Sequence, residues 1–168
     1  MATLEALATR NTGESRVRPV EVLVVEDDAD LRHAIVEVFL MKGFRVNAVS
    51  NGLDAVELAF RHPYDVIVSD IRLPGIDGRG VLQSLKTLHR KPGVILITAY
   101  PDWKVLREVH GMGVSGILLK PFSLAYLAEC VDRAAGEGPG NLAVGNKSQR
   151  GGTADPGGGG EARASPGP

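Results

Sequence analysis

The sequence predicts an α/β fold, a parallel sheet of five strands wound with helices on both faces. Three observations carry this. Four apolar runs of strand length show no polar alternation, which is the pattern of strands covered on both sides. Stretches with apolar residues at helical spacing lie between them. The two periods alternate through residues 20–135, which makes five βα units joined by right-handed crossovers.

The first strand is the apolar run Val22–Val25. A helix follows, with Leu31, Ala34, Ile35, Val38 and Phe39 on one stripe and Gly43 as its stop. Arg45–Val49 is a weaker, alternating strand. The second helix starts from Asn51 as N-cap and carries Ala55, Val56, Ala59 and Phe60. Val66–Val68 is the third strand, and Val81, Leu82, Leu85 and Leu88 form the third helical stripe. Val94–Ile97 is the fourth strand; the helix after it, Trp103 to His110, is short and ambiguous in phase. Ile117–Leu119 is the fifth strand, before a helix that begins at Ser123 and carries Leu124, Leu127, Ala128 and Val131.

Composition bounds the rest. The chain has 168 residues, 43% of them apolar, and a formal net charge of -1, so charge makes no case for nucleic acid or an anionic membrane. Cys130 is the only cysteine, which excludes an internal disulfide and fits a reducing cytoplasm. No apolar stretch approaches the roughly 20 residues that span a bilayer. The N-terminal "MATLEALATRNTGESRVRPV" carries acids and lacks the apolar region of a secretory signal. From Gly136 onward there is no aromatic residue, and 11 of the 21 glycines fall there. Ordering such a backbone costs more than burial returns. Residues 1–19 are therefore expected to be a loose leader, 20–135 the domain, and 136–168 a disordered tail.

In sheets of this kind ligands bind beyond the carboxyl ends of the strands. Glu26 and Asp27 follow the first strand there, Asp70 the third, Thr98 the fourth, and Lys120-Pro121 the fifth. Taken singly, each has an ordinary explanation. Asp28 and Asp30 can cap the next helix, threonine is common at strand ends, and a lysine before proline is commonly a solvated loop residue. Taken together they form a complementary set. At about 4 Å and an effective dielectric near 20, each like-charge pair costs roughly 4 kcal/mol. The group Glu26, Asp27 and Asp70 thus needs a cation or raised pKa values, and Lys120 supplies only one charge. Mg²⁺ is the natural complement, since it takes one or two carboxylates and completes its shell with water and phosphate oxygen. A carboxylate so screened can attack phosphorus, with Lys120 and the Thr98 hydroxyl as donors to the phosphoryl oxygens.

The segments "VLVVEDDADLRHAI", "DVIVSDIRLPGIDG", "VILITAY" and "GILLKPFS", in that order, make residues 21–135 resemble the receiver domain of bacterial two-component response regulators. The resemblance implies a flavodoxin-like (βα)5 fold with strand order 2-1-3-4-5. It implies Asp70 as phospho-acceptor and Thr98 as the switch hydroxyl, with Lys120 binding the phosphate. It also implies Mg²⁺ held by Asp27, Asp70 and the Arg72 backbone carbonyl, with Glu26 acting through water, and a cis Lys120-Pro121 bond. The implied partners are a sensor histidine kinase or histidine phosphotransfer protein and an unidentified downstream protein. No direct DNA binding is expected. The chain departs from the family at Ile117, where an aromatic residue is usual. Arg72 and Tyr100, two residues beyond the acceptor and the switch threonine, occupy positions that tune phosphoryl lifetime in the family. They are large enough to hinder an attacking water. Trp103 can serve as an interface anchor or pack its helix, while His33, His62, His89 and His110 show no metal-ligand spacing.

Two other functions compete. A binding module that keeps the fold without phosphotransfer would be expected to lose part of the Asp27, Asp70, Thr98 and Lys120 set. A phosphatase with an aspartyl nucleophile generally places a second acid two residues on, where this chain has Arg72.

Overall fold

The computed structural model describes residues 18–100, 102–137 and 143–145. In chain order the elements are β1 (Glu21–Val25), α1 (Ala29–Met41), β2 (Arg45–Val49), α2 (Gly52–Arg61), β3 (Val66–Asp70), α3 (Gly78–Leu85), β4 (Gly93–Thr98), α4 (Trp103–Gly111), β5 (Gly116–Leu119), α5 (Leu124–Glu137) and β6 (Ala143–Gly145). The strands are all parallel and lie in the order β2-β1-β3-β4-β5-β6. The expected flavodoxin-like order 2-1-3-4-5 is present, with one short strand added beyond β5. That strand falls in the segment 136–168; the rest of that segment, from residue 138, and residues 1–17 of the leader lie outside the described residues.

Two cores sandwich the sheet. Val22, Val24, Val66, Val68, Ile95, Ile97 and Leu118 point to the side covered by α1 and α5, where Ile35, Phe39, Leu127 and Val131 meet them. Leu23, Val25, Ile67, Val94, Leu96 and Ile117 point to the other side, against Ala55, Val81, Leu82, Leu85 and Val109 of α2, α3 and α4. Adjacent strand residues serving opposite cores explain why β1, β3 and β4 read as unbroken apolar runs. β2, at an edge, is half exposed, which accounts for its alternating sequence.

The caps are local and follow the expected chemistry. Asp28 accepts from the Leu31 amide at 2.9 Å and Asn51 from the Asp54 amide at 2.9 Å. Ser123 Oγ accepts from Tyr126 at 3.4 Å. Gly43 takes φ 81° just past α1, a backbone conformation that favours glycine. With these ends fixed, β1, β3, β4 and β5 deliver their last residues to one edge of the sheet.

Candidate phosphoryl and metal site

Glu26 and Asp70 are buried at that edge, while Asp27 is exposed beside them. Each offers a carboxylate oxygen, and the three oxygens lie within 4.8 Å of one another. Lys120 Nζ donates to Asp70 Oδ2 at 2.5 Å and to Glu26 Oε2 at 2.9 Å. One ammonium therefore bridges residues 50 and 94 positions away in sequence. The second Asp70 oxygen accepts from the Arg72 amide at 2.7 Å. The second Glu26 oxygen accepts from the Asp28 amide at 3.3 Å.

The electrostatics follow from burial. Desolvation pushes the Glu26 carboxyl above its usual range, against the opposing pull of the Lys120 hydrogen bond and charge. Burial pulls the Lys120 ammonium down, but hydrogen bonds and charge from Asp70 and Glu26 outweigh it and leave the group raised. Three carboxylates facing one ammonium leave surplus negative charge in an oxygen-only donor set. That chemistry fits a hard divalent cation such as Mg²⁺.

The structure brings Glu26, Asp27, Asp70 and Lys120 together directly. The Thr98 hydroxyl, at the adjacent strand end, is engaged with its own turn: it accepts from the Tyr100 amide and donates to the Tyr100 carbonyl, both at 3.1 Å. Asp28 caps α1 and Asp30 lies in the first turn, so neither joins the cluster. The Lys120-Pro121 bond is cis. Ile117 is buried among Leu96, Val109 and Val114, where its aliphatic body fills the core side of β5. Trp103, at the start of α4, has 76% of its surface exposed, so its ring does not serve helix packing.

The supporting roles of three further residues emerge only from the structure. Arg32 reaches back from α1 to donate to the carbonyls of Glu26 at 2.8 Å and Asp27 at 3.2 Å, which fixes the acidic loop. Gly78 opens α3 against β3 so closely that a Cβ there would stand 2.5 Å from the Asp70 carbonyl oxygen. Arg79 donates to Asp77 at 3.1 Å and to Glu108 at 3.0 Å, tying the loop after Asp70 to α4. In the sequence Gly78 closes the segment "DVIVSDIRLPGIDG", and Arg32 carries only the signal of a basic residue one turn into a helix after an acidic pair.

Comparison with known proteins agrees with this geometry. Residues 22–132 match the family described as response regulator receiver domain. Sporulation initiation phosphotransferase F of Bacillus subtilis is 27% identical over 113 residues, covering 67% of this chain and 91% of that protein. The probable transcriptional regulator ycf29 of Porphyra purpurea is 39% identical over 112 residues, covering 66% of this chain and 54% of that protein. The chain spans only about a quarter of longer relatives such as the response regulator FleR of Pseudomonas aeruginosa, of which it covers 26%. Among solved structures, the receiver domain of the sensor histidine kinase PA1611 of Pseudomonas aeruginosa superposes with a TM-score of 0.65 at 30% identity. The match covers 71% of this chain and 100% of that one, which holds a magnesium ion in its active-site cleft.

Proposed function

This chain belongs to the response regulator receiver domain family, and on that premise we propose that Asp70 accepts a phosphoryl group from a phosphohistidine donor in a Mg²⁺-dependent reaction. The donor is a sensor histidine kinase or a histidine phosphotransfer protein. The single observation that carries the reading is the Lys120 ammonium bridging Asp70 and Glu26, with the Asp27 carboxylate in the same cluster. Asp27, Asp70 and the Arg72 carbonyl would hold the ion, with Glu26 acting through water, where the three carboxylates converge; the PA1611 receiver holds its magnesium in its active-site cleft. When bound, Mg²⁺ supplies the positive charge that offsets the developing charge on the phosphoryl oxygens.

The transfer is a displacement at phosphorus. An Asp70 carboxylate oxygen forms the new O–P bond while the donor's N–P bond breaks, its electron pair returning to the imidazole nitrogen. Lys120 exchanges one of its carboxylate contacts for a phosphoryl oxygen. Thr98 turns its hydroxyl from the Tyr100 carbonyl toward another. The phosphorylated form then differs from the free one in the turn that carries Tyr100 and leads to α4, and that difference sets affinity for a downstream protein.

The test is incubation with acetyl phosphate, with and without Mg²⁺, followed by intact mass and Trp103 fluorescence. A mass gain that needs Mg²⁺ and vanishes in Asp70→Ala is expected. No gain under any condition would favour a receiver-like module that binds partners without phosphorylation.

A further inference from the structure

The edge of β5 is covered by the chain's own backbone. β6 runs parallel to β5 in the register Gly116 with Ala143, Ile117 with Val144 and Leu118 with Gly145. The two partners in this pairing are unequal. β5 is held on its other side by β4 along its whole length, with Ile117 and Leu118 buried in opposite cores. It is a rigid template. β6 has three residues, Ala143, Val144 and Gly145, of which only Val144 favours extended structure and the last is a glycine. An interaction of so few ladder bonds, at the rim of a sheet, belongs to the low-stability end of a fold.

An edge strand that is firmly built but weakly covered is a ready acceptor for another extended segment, because main-chain donors and acceptors provide the bonds whatever their source. We propose that the β5 edge is a strand-addition site for an extended peptide segment of small and β-branched residues, which residues 143–145 occupy in cis. The pattern small, β-branched, small is the one the edge already accepts. The site lies outside the acidic cluster, and the proposal does not rest on phosphorylation of Asp70.

The full-length chain carrying Ala143→Pro and Val144→Pro tests it. Successive amides of a strand face opposite sides, so two adjacent prolines remove the one that faces β5. Hydrogen exchange is expected to accelerate about tenfold at those amides of Gly116–Leu118 that face β6, the loss of roughly one net hydrogen bond. Amides of β1 and β3 should stay protected and show that the fold is intact. A synthetic peptide of residues 140–147, GNLAVGNK, added to this variant should restore slow exchange at β5, and GNLPPGNK should not. Unchanged exchange at Gly116–Leu118 in the variant would overturn the proposal. So would acceleration that millimolar GNLAVGNK does not reverse, or equal rescue by both peptides.

Discussion

The guanidinium carbon of Arg72 lies 4.3 Å from the centroid of the Tyr100 ring. These side chains stand two residues beyond Asp70 and two beyond Thr98, so the loops after β3 and β4 are joined by a cation–π contact beside the proposed acceptor. A stack at an exposed site such as this is worth about 0.5–1 kcal/mol. On the proposed reading it also keeps two bulky groups beside the phosphoryl group that Asp70 would carry. Arg72→Ala and Tyr100→Ala are each expected to shorten the lifetime of phosphorylated protein, and the double variant to lose less than the sum. Decay followed by intact mass decides this. Wild-type decay within seconds, unchanged in both variants, would overturn this expectation.

The ammonium that bridges Glu26 and Asp70 also opposes any cation in the cluster. Lys120→Met should therefore bind Mg²⁺ several-fold more tightly by calorimetric titration. Without Mg²⁺ it should unfold more easily, by about 1–3 kcal/mol, because two carboxylates lose their charged partner. Unchanged or weaker Mg²⁺ affinity would contradict the bridge as described.

At the opposite end of the sheet Asp65 organises a second charge cluster. It accepts from Arg18 at 2.9 and 2.7 Å, from Arg90 at 2.5 Å and from the Glu21 amide at 3.0 Å. Burial pushes its carboxyl up, but these hydrogen bonds and charges together hold it below the usual value of 3.8. A depressed folded-state value means stability that is present above pH 3.8 and lost as pH falls through the lowered value. Asp65→Asn should cost about 1–3 kcal/mol at neutral pH. Its deficit in urea unfolding should shrink as the pH drops below that of an ordinary aspartate. A deficit constant down to strongly acidic pH would exclude this account.

Gly78 lets the first turn of α3 lie on β3. A methyl group there would meet the Asp70 carbonyl oxygen at 2.5 Å and the Ile71 Cα at 2.9 Å, both backbone atoms that cannot rotate away. Gly78→Ala is expected to destabilise the fold by about 1–3 kcal/mol and to slow acetyl-phosphate labelling of Asp70. Unfolding free energy and labelling rate unchanged from wild type would show that α3 can shift without cost.

The sequence by itself determined whatever depends on near neighbours. The apolar runs placed β1, β3, β4 and β5 because strands covered on both faces cannot afford polar alternation. Asp28, Asn51 and Ser123 announced their helices because a cap bonds amides only three residues away. The edge bearing Glu26, Asp27, Asp70, Thr98 and Lys120 followed from parallel strands ending together. Only the tertiary structure decided how those groups are spent: Lys120 on both Glu26 and Asp70, the Thr98 hydroxyl on its own turn, Arg72 on Tyr100, Gly78 against the strand. Those contacts depend on loop paths and side-chain directions, which no local period encodes. β6 is the limiting case. Composition over 136–168 offers little to bury, and three residues carry no period; Ala143–Gly145 is a strand because β5 lends it the hydrogen bonds.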